Sequence, residues 1–117
     1  MIRNSILALA LIAGPALADP ARVDTVSVSQ YDGNYTFNVT ISHGDTGWEH
    51  YVDAWRIRDM DDNLLGTRKL AHPHVNEQPF TRSLSGVRIP DSVKTVQIDA
   101  HDTVSGWSSN VKQVKLP

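Results

Sequence analysis

A chain of 117 residues with a formal charge of −2 and 21% charged side chains fits one small globular domain. With no cysteine it can use neither disulfides for stability nor thiolates for metal or redox chemistry. The mildly acidic balance lacks the basic stripe that nucleic acid or an anionic membrane surface would need, so neither is expected as a partner.

The chain opens on Met1-Ile2-Arg3-Asn4, followed by an apolar run from Ser5 to Ala13 that Gly14-Pro15 breaks before Ala16-Leu17-Ala18. A positive start, a short apolar stretch and an A-x-A tripeptide predict a cleaved signal peptide over 1–18, with a single mature domain over 19–117. The run is well short of the roughly 20 residues that span a bilayer, so no membrane span is expected and the protein is read as secreted, in the periplasm. Removing 1–18 leaves 99 residues, in which 10 basic side chains face 13 acidic ones.

From Arg22 the apolar residues recur at a period near two, with turn signals every 8 to 12 residues or so, as in antiparallel all-β domains. Val23 to Gln30 predicts a first strand, and Tyr31-Asp32-Gly33-Asn34 a turn. Tyr35, Phe37, Val39 and Ile41 alternate with polar residues in a second strand. Trp48 to Arg58 predicts a central third strand, with Tyr51, Asp53, Trp55 and Ile57 inward and His50, Val52, Ala54 and Arg56 outward. Asp53 is then a costly inward residue that calls for a partner such as Arg68 or Arg82. Leu64 to Leu70 suits an edge strand, Phe80 to Val87 a fifth, and Val93, Val96, Ile98 and Ala100 mark a sixth. Ser105 to Ser109 reads as a loop, and Val111, Val114 and Leu116 close a seventh strand.

Seven strands in this order, with Trp55 in the third, resemble an immunoglobulin-like, fibronectin-III-like β-sandwich, and Val96-Gln97-Ile98-Asp99-Ala100-His101-Asp102 is similar to the corresponding strand of such modules. That fold carries no particular function. A narrower resemblance runs through Asp45-Thr46-Gly47-Trp48-Glu49-His50-Tyr51, Trp55, Leu65-Gly66-Thr67-Arg68 and His72 to Gly86. It is to small exported bacterial proteins that share an HPHV-x-EQPFTRSL segment, and it implies export without supplying an activity. Members of that group place a histidine just before the Gly-Trp or Gly-Tyr of the last loop. Ser105 stands there in this chain, which counts against a ligand from that loop.

The chain has five histidines. In the sandwich topology the second-to-third, fourth-to-fifth and sixth-to-seventh connections share one pole, which gathers His43, His50, His72, His74 and His101. Pro73 holds His72 and His74 in extended chain, where positions i and i+2 project to the same side. Imidazoles with nearby carboxylates (Asp45, Glu49, Glu77, Asp99, Asp102) suit copper or zinc, and His72, His74 and His50 are the first candidates, then His43 or His101. The competing reading is a non-catalytic module for a protein partner or a carbohydrate, using Trp48 and Trp107. Either tryptophan equally suits a cap over the open end of the core, which is the expected role. Glu77 and Arg82 are further contact candidates, as an ion pair or an anion-binding arginine. No nucleophile with an adjacent base is present, so no enzymatic reaction is assigned.

Overall fold

The computed structural model describes residues 20–117, so the expected signal peptide over 1–18 lies outside the described residues. Eight strands follow one another: β1 (Arg22–Tyr31), β2 (Asn34–Ser42), β3 (Val52–Asp59), β4 (Leu64–Lys69), β5 (Phe80–Val87), β6 (Thr95–Asp102), β7 (Gly106–Trp107) and β8 (Lys112–Lys115). No helix occurs among the described residues. They form two antiparallel sheets, one in the order β1-β2-β5 and the other β4-β3-β6-β7, with β8 also paired to β6.

The alternation in the sequence explains both faces. Phe37, Val39 and Ile41 of β2, Trp55 and Ile57 of β3, and Val96, Ile98 and Ala100 of β6 are fully buried between the sheets. Each large apolar side chain so buried stabilises the fold by about 1.5–3 kcal/mol. Asp32 and Gly33 link β1 to β2 with φ of 54° and 83°. Two consecutive positive φ values match the twist of a two-residue hairpin, and Asp-Gly tolerates them well. In the β3–β4 turn, Asp59 Oδ1 accepts hydrogen bonds from the backbone N–H of Asp61 and Asn63, both at 2.9 Å.

Two departures from the expected strands matter for the site. β3 begins at Val52 and not at Trp48, because Gly47 and His50 close a tight turn that places Trp48 at its apex. The β3–β6 register then shifts between Val52 and Ala54. This β-bulge reverses the expected sidedness of two residues: Val52 is fully buried, and Asp53 lies half-exposed beside His101. Asp53 thus needs no inward arginine. Gly106 and Trp107, expected in a loop, form the short strand β7, which makes eight strands where seven were expected.

Candidate metal centre

The loop between β2 and β3 begins with His43-Gly44-Asp45. The side chains of His43 and Asp45 have no exposure, and His43 Nδ1 lies 2.6 Å from Asp45 Oδ1. A carboxylate accepts, so Nδ1 is the donor in this contact, and in the neutral tautomer it selects Nε2 keeps its lone pair. That Nε2 is buried and has no hydrogen-bond partner among the described residues. Asp45 is itself held in place: Oδ1 accepts from Val52 N at 3.2 Å, and Oδ2 from His74 N at 2.8 Å.

His50 closes the same loop. Its backbone O accepts from Thr46 N at 3.0 Å, and its N–H donates to Gly47 O at 3.1 Å. Its ring meets that of His43 edge-on, with centroids 4.6 Å apart, and its Nε2–H donates to Asp102 Oδ1 at 3.1 Å. Asp102 ends β6, pairs with Val52 and has a fully buried side chain. Burial pushes its carboxyl upward, but the backbone N–H groups of Ser105 and Val104, with His43 and His50 nearby, hold it below its ordinary value. It therefore stays ionised while its second oxygen, Oδ2, is buried without a hydrogen-bond partner.

One ligand atom each from His43, His50 and Asp102 lie within 4.8 Å of one another. This group can hold a metal. Two buried carboxylates converge here with no lysine or arginine paired to either among the described residues. Their compensation comes from the N–H groups of Val52, His74, Val104 and Ser105 and from the two imidazoles, and a cation would add to it.

No family model matches the chain. It is 33% identical over 78 residues to the "Putative lipoprotein" of Halomicrobium mukohataei, a match that takes in 67% of this chain and 38% of the relative. The chain thus spans little more than a third of that protein's length. Among solved structures it is similar to a hypothetical protein from Pyrococcus horikoshii, with a TM-score of 0.56 at 12% identity over 84% of this chain and 90% of the other. A superoxide reductase in its oxidised state is also similar, with a TM-score of 0.53 at 12% identity over 88% and 94% of the two chains. At such identities the likeness speaks for the fold alone.

The five nominated histidines do not act as one set. His43 and His50 join the group with Asp102. His72 and His74 lie together, ring centroids 4.7 Å apart, but have other neighbours. His72 is exposed, with Nδ1 3.0 Å from Pro73 O. His74 is buried, stacked on Phe80 at 3.9 Å, and its Nε2 accepts from Arg82 Nη2 at 3.0 Å. Burial first, then the charges of Arg82 and His72, hold the His74 imidazole below its ordinary pKa. A permanent cation on Nε2 leaves that nitrogen unsuited to a second one. Arg82 also reaches Glu77 at 3.4 Å, the ion pair expected from the sequence.

His101 faces the other way. Its Nδ1 lies 2.5 Å from Asp53 Oδ1 on the outer face of the larger sheet, beside Trp107. Neither loop tryptophan caps the core: Trp48 is 67% exposed and Trp107 39%. The apex of a four-residue turn carries Trp48 outward, and Trp107 lies over the outer sheet face. Asp102 stands in the sequence as one of five nearby carboxylates, and the signal that singles it out is that it continues the inward parity of Val96, Ile98 and Ala100.

Proposed function

We propose that this is an exported metal-binding or metal-handling protein holding Zn²⁺ or Cu²⁺ through His43, His50 and Asp102. The observation that carries the reading is the pair of unpartnered buried acceptors, His43 Nε2 and Asp102 Oδ2, beside a second imidazole. Two imidazoles and a carboxylate are donors that both ions accept. Three protein ligands leave a coordination position open, so a bound ion would supply a Lewis-acidic charge accessible to a further ligand. Asp45 would act from behind His43, fixing the tautomer that presents Nε2.

Export is supported by the leader-like sequence over 1–18 and by the name of the lipoprotein relative, and the periplasm is the compartment we propose. No helix among the described residues is long and apolar enough to cross a membrane. The strand order, β1-β2-β5 facing β4-β3-β6-β7, supports a fibronectin-III-like arrangement in which the β2–β3 loop and the end of β6 meet at one pole.

Calorimetric titration of EDTA-stripped protein with Zn²⁺ and with Cu²⁺ tests this. Equimolar binding is expected for at least one ion, weakened by at least about 100-fold in His43→Ala and in Asp102→Asn. His72→Ala should leave it intact. The assignment fails if neither ion binds, or if His72→Ala abolishes binding while His43→Ala does not.

A further inference from the structure

We propose that the outer face of the larger sheet carries a second, metal-independent site, a subsite for a neutral pyranose unit built around Trp107, Asp53 and His101. It does not depend on the metal reading. A basin of about 310 Å³ lies there, lined by Asp53, Ala54, Thr67, Lys69, His101 and Trp107. Its volume is at the lower end of the range for small-ligand sites, roughly 300–1,000 Å³.

Each wall has a physical cause. The bulge in β3 turns Asp53 out of its expected inward position and onto this face, and bulges are devices for re-aiming a side chain near functional sites. Asp53 Oδ1 takes the Nδ1–H of His101 at 2.5 Å, which fixes the imidazole, and Asp53 Oδ2 has no protein hydrogen bond among the described residues. His101 Nε2 likewise has none. Both groups are only partly covered, with side chains 32% and 29% exposed, so both remain available to a ligand.

Trp107 is pinned before any ligand arrives. The Arg56 guanidinium lies 3.8 Å from the centre of its ring, and Arg56 is itself clamped by the buried Asp99, Nε to Oδ1 at 3.0 Å and Nη2 to Oδ2 at 2.9 Å. His101 meets the indole edge-on with centroids 4.9 Å apart. A rigid aromatic side chain that is still 39% exposed loses little entropy on binding.

The mixture of groups selects the ligand class. A small anion would meet the carboxylate of Asp53, and a cation would meet Lys69 and Arg56. A neutral polyol suffers neither repulsion, and its hydroxyls can donate to Asp53 Oδ2 and His101 Nε2 while accepting from Lys69 and Thr67. A pyranose adds an apolar C–H face that packs on indole.

The full-length protein, kept in EDTA, is titrated with maltose, cellobiose and N,N′-diacetylchitobiose, with digalacturonate as the charged control. The indole N–H resonance of Trp107 and saturation-transfer NMR report binding. At least one neutral disaccharide should shift the Trp107 resonance, with affinity falling by about tenfold or more in Trp107→Ala and in Asp53→Asn. Asp53→Asn leaves the backbone bulge in place and covers the case in which Trp107→Ala fails to fold. Trp48→Ala should change nothing, and Zn²⁺ or Cu²⁺ binding should be unaltered in Trp107→Ala. The proposal is overturned if none of the three neutral sugars shifts Trp107 at roughly 50 mM, a limit of very weak binding. It is equally overturned if digalacturonate binds best, or if Trp48→Ala is the variant that abolishes binding.

Discussion

At the scale of single residues the pole is organised by Asp45 more than by any histidine. Its two oxygens tie together the His43 ring, the start of β3 at Val52 and the backbone of His74. Asn at this position can keep one acceptor but must turn a donor towards one of those N–H groups. Asp45→Asn is therefore expected to weaken Zn²⁺ or Cu²⁺ by about 10–100-fold through loss of the His43 tautomer. Calorimetry on the folded variant reads that loss directly, and unchanged affinity would remove Asp45 from the site. His74, beside it, makes a different prediction. Its folded pKa lies below the ordinary 6.5, so between those two values the unfolded chain binds more protons than the native one. Stability is then greatest above pH 6.5 and is lost as the pH falls through 6.5 towards the folded value. Urea unfolding in EDTA between pH 7.5 and 5 should show this loss, with a shallower slope in His74→Gln. Equal slopes would mean that burial and Arg82 do not hold the imidazole neutral.

At the scale of elements, two local irregularities place the functional groups. The turn Gly47-Trp48-Glu49-His50 sets the His50 ring against His43, and it requires φ of 150° at Gly47. A Cβ there would also meet Glu49 Oε1 at 2.8 Å. Gly47→Ala is expected to cost about 1–3 kcal/mol, because side chains disfavour that backbone conformation. Adding Glu49→Ala should recover little of it, since the carboxylate can swing aside and the backbone cannot. Thermal unfolding of the single and double variants decides the point, and full recovery would make the clash the cause. The regular part of this architecture was legible beforehand, because Phe37, Val39, Ile41, Val96, Ile98 and Ala100 keep strict period two and each buries one face. The bulge at Asp53 was not. One extra residue leaves the composition of β3 unchanged but carries Asp53 across to His101, and alternation read from the sequence has no term for it. The turn before β3 was no more legible: read as part of the third strand, His50 falls on its outward face, whereas the turn delivers it to His43 and Asp102.

At the scale of the whole molecule, the candidate centre connects loops that the sheets alone leave loosely tied. His43 and His50 belong to the β2–β3 connection and Asp102 to the end of β6, so one ion would bridge the exit of the smaller sheet to the heart of the larger. Without cysteine, no disulfide reinforces the chain connection between them. A domain of about 100 residues rests on a stability of only 5–15 kcal/mol, and this one contains three buried carboxylates, of which Asp45 and Asp102 have no arginine or lysine partner among the described residues. A ligand that binds only the native state at 100 times its dissociation constant adds about 2.7 kcal/mol. For a domain of this size, that corresponds to a rise in Tm of roughly 10–20 °C. Scanning calorimetry of the EDTA-stripped protein, repeated with Zn²⁺ or Cu²⁺ at that excess, should show the rise in the wild type and lose most of it in His43→Ala and Asp102→Asn. Asp102→Asn carries a second expectation, because the N–H groups of Val104 and Ser105 and the nearby imidazoles favour the ionised carboxylate in the folded state, and the amide loses that preference. Its metal-free form should be less stable than metal-free wild type at neutral pH, and the rise on adding metal, read against each protein's own metal-free Tm, separates the ion's contribution from that of the fold. A metal-free Asp102→Asn that melts as high as metal-free wild type would show instead that His50 and the N–H groups of Val104 and Ser105 do not favour the ionised carboxylate.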